Sequence, residues 1–176
     1  DSDTRIILKY LPENMDISGN SNNALNLASG DFVGFLDHDD ELTPYALIEN
    51  VKLLNLHPEA DLIYSDHAKI DENGLIYDQE FKPDWSPELL LSYCYIGHLK
   101  IIRKSILDEV GGFRSQFDGS QDYDLLLRVT EKTENVYHIP EILYLWRATK
   151  KSLAQSACSK PYSIERGRMA VEDALE

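Results

Sequence analysis

The chain has 176 residues, 43% of them hydrophobic, which suits one domain with a core and excludes a disordered chain. Seventeen basic residues stand against 31 acidic ones, a net charge of −14, which excludes nucleic acid as the main partner and means that an anionic substrate would need a cation beside it. No run of about 18 apolar residues occurs, so no membrane-spanning helix is expected, and the acidic start at Asp1 and Asp3 is unlike a signal peptide.

In chain order, residues 5–10 (RIILKY) read as a short strand. Residues 20–29 read as a helix, with Gly30 just past its end. Residues 31–36 (DFVGFL) are nearly all apolar, as expected of a strand buried on both faces. Thr43-Pro44 predicts an N-cap, with the helix running to Leu56 and stopping before His57-Pro58. Residues 61–65 form another strand, and Asn73-Gly74 predicts a tight turn between residues 68–70 and 75–77. Ser86-Pro87 opens a short helix through Ser92. A strand over 99–103 and a helix over 105–110, closed by Gly111-Gly112, follow. Residues 123–133 are an amphipathic helix, residues 136–139 and 142–146 two strands split by Pro140, and a last helix begins at Pro161.

Alternating strands and helices in the first third imply a parallel α/β start, and the hairpin pattern of the middle implies an antiparallel extension. Ligands of such sheets bind beyond the carboxyl ends of the strands. Cys94 and Cys158 lack metal or disulfide-framework spacing, which fits a reducing compartment. The charge is uneven. Residues 147–168 carry Arg147, Lys150, Lys151, Lys160, Arg166 and Arg168 against Glu165, or +5, so the remainder carries −19. That tail is either a solvated segment or a flap that meets phosphate or an anionic membrane surface.

Asp37-His38-Asp39-Asp40 directly follows the apolar strand, at the sheet edge where a ligand is expected. Residues i and i+2 of an extended segment point the same way, so Asp37 and Asp39 can aim at one point. Their repulsion is offset if a hard divalent cation sits between them. The alternative is an acidic turn at the positive end of the following helix. A second acidic pair, Asp122 and Asp124, opens the helix near Tyr123. Read from the residues alone, Asp122 caps that helix, and Asp124 is expected to form a surface ion pair with Arg128.

Residues 20–42 (NSNNALNLASGDFVGFLDHDDEL) closely resemble family 2 glycosyltransferases of the GT-A fold. Further matches follow in order: FKPDWSP (81–87), YIGH (95–98), VGGF (110–113), GSQDYDLLLR (119–128) and HIPEILYLWR (138–147), with Lys160-Pro161-Tyr162 like the tail of bacterial cell-surface polysaccharide and rhamnosyltransferase-like members. The resemblance implies an α/β GT-A domain with a mixed, mostly parallel sheet flanked by helices. Residues 1–60 would be its donor and metal half, 61–147 its acceptor half, and 148–176 a basic tail with the last helix. It implies that Asp37 and Asp39 match the DxD motif, which holds Mn²⁺ or Mg²⁺ against a nucleotide-sugar diphosphate, Asp39 being the more direct ligand. Asn22 and Arg147 count with them on the donor side, the donor being a UDP-, dTDP- or GDP-sugar. The proposed general base of the family maps onto Asp122, although position 121 is Gln rather than the common Glu. Asp66, His98 and Trp85 are expected on the acceptor side, with Asp66-His67-Ala68 departing from the usual Asp-Glu-Asp.

The expected activity is inverting transfer to a glycan or lipid-linked acceptor in the cytoplasm, peripheral at the inner membrane face. The Pro-x-Tyr-Asn-like and Asp-Asp-Gly-Ser-like strands that open family members are missing, so the domain is expected to be N-terminally incomplete and weak alone in donor binding. The rival expectations are a non-catalytic glycan-binding module and a nucleotidyltransferase. No Gly-rich basic loop supports the latter.

Overall fold

Six strands form one mixed sheet in the computed structural model, which describes residues 3–147 and 161–176. They are β1 (Phe32–Gly34), β2 (Glu41–Leu42), β3 (Leu62–Ile70), β4 (Ile76–Glu80), β5 (Lys100–Arg103) and β6 (Val136–Arg147), in the order β1-β5-β3-β6-β2 with β4 hairpinned onto β3. β3 and β6 pair in parallel along nearly their whole length, and the shorter pairings are antiparallel. β5 is antiparallel to both β1 and β3, so β1, β3 and β6 run the same way. The parallel start is thus real in direction, with β5 inserted between its first two strands.

β3 is almost wholly buried, and its alternate side chains serve two layers. Leu62 and Tyr64 join a core with α3 (Pro87–Ser92), α4 (Lys104–Val110), α5 (Gln121–Thr130) and one face of α6 (Pro161–Ala174). Ile63 points the other way, into a smaller core with Ala46 of α2 (Ala46–Leu56), Ile101 and Leu143. Fully burying each such side chain stabilises the fold by about 1.5–3 kcal/mol. α1 (Asp16–Leu25) closes the first layer through Leu25.

Several elements form where the residues place them. Ser86 Oγ accepts from the Leu89 N–H at the start of α3, with Pro87 at the first helical position. Gly111 ends α4 in the left-handed region at φ 77°. Gly74, at φ 84°, makes the β3–β4 turn.

Other elements differ from expectation. Residues 5–10 are not a strand. Ile6, Ile7, Leu8 and Tyr10 are exposed, and among the described residues no strand lies alongside to take their hydrogen bonds. α1 begins at Asp16 rather than residue 20 and ends at Leu25, well short of Gly30. β1 covers three residues at the sheet edge, paired only with β5 among the described residues, and is partly buried, with Val33 against the larger core and Phe32 against the smaller. Thr43 does not cap α2 with its side chain; its carbonyl accepts from the Ala46 N–H, and its Oγ1 is buried without a partner. β6 runs unbroken through Pro140, because Ser65 faces Ile139 and Asp66 faces Ile142 across a bulge. Pro140 and Glu141 stand out of the pairing there, and a missing N–H costs nothing. Asp124 does pair with Arg128, at 2.7 Å, but it is fully buried and not a surface group.

Candidate functional site

The acidic loop leaves β1 at its carboxyl end and is held from below by β6. The Tyr144 hydroxyl accepts from the Asp37 N–H at 3.4 Å and donates to Asp40 Oδ2. The Arg147 N–H donates to Asp40 Oδ1 at 2.8 Å, and its guanidinium donates to the Asp39 carbonyl at 2.8 Å and to Glu41. Asp40 is therefore spent on fixing the loop, and Arg147 is a buttress beneath Asp39. That leaves the carboxylates of Asp37 and Asp39. Asp39 meets only His38, at 3.9 Å. Burial, then the charges of Asp122 and Asp40, hold the Asp37 carboxyl above the usual range.

Asp122 stands in the first turn of α5 but does not cap it. Its Oδ1 lies 3.2 Å from Lys100 Nζ, and Lys100 is completely buried. Lys100 donates to the Gly97 carbonyl at 3.3 Å and lies 5.9 Å from the centre of the Phe35 ring. Burial alone would raise the Asp122 carboxyl, but Lys100 and then His98 outweigh it and hold it below the ordinary range, so it is anionic. The His98 ring stacks on Tyr144, with centroids 4.8 Å apart, and burial followed by Lys100 pushes its pKa down, so the imidazole is neutral. Its Nε2 is 3.8 Å from Asp37 and 4.0 Å from Asp122. One imidazole therefore joins the two acidic segments, which lie 85 positions apart in the sequence.

The remaining expected residues are placed elsewhere. Asp66 is buried, and its Oδ1 accepts from the Lys82 N–H at 2.9 Å and meets His138 Nε2 at 2.8 Å. His138 stacks on Tyr64 and turns its other nitrogen to Asp84, 3.1 Å away. Asp66 is thus taken up inside the fold and is not brought to Asp37 and Asp122. Trp85 packs against the larger core. Asn22 uses both ends of its amide on the Phe113 backbone, at 2.8 and 2.9 Å. Its fit explains Gly112, where a Cβ would stand 2.5 Å from Asn22 Oδ1. Asn22 therefore ties α1 to the turn after α4, and the structure does not bring it to the carboxylates. Lys150, Lys151 and Lys160 of the basic tail, and Cys158, lie outside the described residues. On α6, Arg166 donates to the Asp118 carbonyl and Arg168 pairs with Glu165 and Glu172. Cys94 is a free thiol whose pKa burial pushes up to about 11.

Lys100, Tyr144 and Lys82 were not singled out by the sequence. Lys100 carried a usable signal: a lysine inside the apolar run LKIIR either lies at an edge or answers a buried carboxylate. Among the described residues no group of three or more His, Cys, Asp or Glu side chains is assembled to hold a metal ion. The side chains that could do so are Asp37 and Asp39. Both are hard oxygen donors, and Mg²⁺-type ions are usually held by one or two carboxylates with phosphate and water completing the shell. Burial, followed by the charges of Asp122 and Asp40, raises Asp37, and a cation beside it would favour its ionised form, so the donor set fits.

Comparison with known proteins identifies the family and the fold. Residues 1–111 match the family described as glycosyl transferase family 2. The uncharacterized protein y4gI of Sinorhizobium fredii is 43% identical over 98% of this chain, and the O-antigen biosynthesis protein RfbC of Myxococcus xanthus 38% over 91%. The chain spans only 19% and 12% of the lengths of these relatives. In structure it resembles Staphylococcus aureus TarS 1–349 in complex with UDP-GlcNAc, with a TM-score of 0.68 over 91% of this chain and 47% of that one at 17% identity. It also resembles the mannosyltransferase PcManGT of Pyrobaculum calidifontis in complex with GDP-Man and Mn²⁺, with a TM-score of 0.57 over 93% of this chain and 54% of that one at 15% identity. The sheet, its helical layers and the matched residues lead to one assignment: the chain is a GT-A-fold glycosyltransferase domain and belongs to glycosyl transferase family 2.

Proposed function

We propose that this domain transfers a sugar from a nucleotide-diphosphate donor to a glycan or lipid-linked acceptor, with inversion, in bacterial cell-surface polysaccharide synthesis. The observation that carries the reading is the meeting of Asp37 and Asp122 at one neutral imidazole, with Lys100 holding Asp122 ionised. Asp122 accepts the proton of the acceptor hydroxyl as its oxygen attacks the anomeric carbon and the bond to the diphosphate oxygen breaks. Lys100 keeps that carboxylate available and in place. Its full burial excludes water from the far side of the pair. His98, stacked on Tyr144, separates the two acids and fixes the direction in which Asp122 faces.

Asp37 and Asp39, on a loop stiffened by Asp40, Tyr144 and Arg147, would hold Mn²⁺ or Mg²⁺. Such an ion supplies charge neutralisation to the leaving diphosphate. In this reading residues 1–60 provide the donor side, residues 61–147 the base and acceptor side, and residues 148–176 the tail. TarS with UDP-GlcNAc and PcManGT with GDP-Man and Mn²⁺ support a nucleotide-sugar donor and a divalent ion. The same reading puts the domain in the cytoplasm, peripheral at the inner membrane face where lipid-linked acceptors lie. No described helix is long and apolar enough to cross a membrane.

The test is a transfer assay on the whole protein that carries this domain, with UDP-, dTDP- and GDP-sugars and Mn²⁺ or Mg²⁺. Transfer that disappears with EDTA and in Asp39→Ala, with folding intact, is the expected result. Glycan binding without transfer, unchanged in Asp39→Ala, would replace this reading with that of a glycan-binding module.

A further inference from the structure

Lys82 belongs to the FKPDWSP stretch, to which the transfer reading gives no role. Its side chain is buried, and its ammonium donates to three main-chain carbonyls: Ser65 at 2.5 Å, Ile96 at 2.6 Å and His98 at 2.5 Å. An ammonium has three N–H donors and no acceptor, so these three oxygens exhaust it. Ser65 is in β3, whereas Ile96 and His98 flank Gly97, a residue in the left-handed region at φ 49°. The carbonyl between them, that of Gly97, accepts from Lys100, the partner of Asp122. Two buried lysines therefore take successive carbonyls of one segment. Lys82 holds the outer two and ties them to the sheet, while Lys100 holds the middle one and ties it to Asp122. Lys82 is itself anchored by its N–H on Asp66, which His138 holds in turn.

We propose that Lys82 is a positioning residue, which by filling these three carbonyls fixes residues 96–98 and so sets the His98 imidazole between Asp37 and Asp122. The proposal rests on the transfer reading of those carboxylates. Its test observes the imidazole directly and needs no transfer activity, so the two fail separately.

The chain has five histidines, few enough for each ring to be assigned by long-range ¹H–¹⁵N correlation NMR. Lys82→Met removes the donors and keeps the aliphatic stem. The expected result is that the His98 ring signals shift or broaden away, while those of His57, stacked on Tyr137, and of His138 stay in place. His67 also moves, since the Lys82 charge acts on it as it does on His98, so the variant that keeps the charge is the one that separates position from charge. Lys82→Arg keeps the charge and most of the stem, and guards against a Met variant that does not fold. Its planar fork cannot meet three converging oxygens, so His98 is expected to move there while His67 stays nearer its wild-type position. His98 signals unchanged in either folded variant would overturn the proposal. So would loss of all five ring signals together in both variants, since that would make Lys82 a general core residue.

Discussion

Asp122 and Asp124 lie two positions apart on one helix, and their surroundings have almost nothing in common. Asp124 is fully buried between Arg114 and Arg128, which take both of its oxygens. Arg114 continues to Asp173 on α6, and Arg128 to the carbonyls of Val110 and Gly112, so Asp124 is the hub of a tie between three elements. Asp122 has one lysine at 3.2 Å and an imidazole at 4.0 Å, with acceptor capacity left over. The same contrast separates Asp40, used up by Tyr144 and Arg147, from Asp39. A carboxylate becomes available for chemistry when it is held in place but not consumed, and residue type and spacing do not distinguish the two conditions.

The contrast can be broken most sharply by exchange of single atoms. Asp122→Asn is expected to lower transfer per folded molecule by about 10²–10⁴-fold, the usual worth of a general base, and also to lower the melting temperature, because buried Lys100 is left facing a neutral amide. If transfer survives, Asp122 is only the structural partner of Lys100. Asp124→Asn leaves two guanidinium groups facing a neutral amide and is expected to cost about 3–5 kcal/mol in urea unfolding. A stable Asp124→Asn domain would erase the difference between the two positions.

Acid provides a finer probe, because buried imidazoles cluster on the site side. Burial, with Lys82 and Lys69, lowers His67 to about 4, and burial with Lys100 lowers His98. Below about pH 6.5 the unfolded chain binds protons at these rings that the folded chain does not. Stability is therefore expected to fall as pH drops from 6.5 to about 4, by about 3 kcal/mol from His67, and urea midpoints across that range measure it. The smallest effect is at Asn22. Asn22→Ala is expected to cost about 1–2 kcal/mol by releasing the Phe113 backbone, with nucleotide-sugar affinity unchanged. A selective loss of donor affinity would move Asn22 back to the donor side.

Local signals gave up the elements whose causes are local: the Ser86-Pro87 start of α3, the Gly111 stop of α4 and the Asn73-Gly74 turn. What failed depended on partners distant in sequence. Residues 5–10 have strand composition but no neighbouring strand, and the apolar run at 31–36 pairs over three residues because one flank is open. Pro140 reads as a break until the bulge against β3 is seen. At the site, the sequence pointed to Asp37, Asp39 and Asp122, and the structure brings Asp37 and Asp122 to one imidazole, while Arg147, expected on the donor side, supports the acidic loop from below. The other supports were not legible, because Lys100, Lys82 and Tyr144 act through burial and main-chain carbonyls, which leave little trace in residue spacing. Asn22 shows the converse, a residue in a telling motif whose visible work is to hold a turn.

The bulge in β6 turns that strand into a ruler. Before it, His138 pairs with Tyr64 and anchors Asp66; after it, Tyr144 and Arg147 reach the acidic loop. The span between these two stations is counted in paired residues, since Pro140 and Glu141 stand outside the ladder. Deleting those two would leave Arg147 opposite Ile70, whereas deleting one paired residue beyond the bulge would turn every later side chain to the other face and unhook Arg147 from Asp40. The paired length of β6 beyond the bulge is therefore what sets the distance of the acidic loop from buried Asp66.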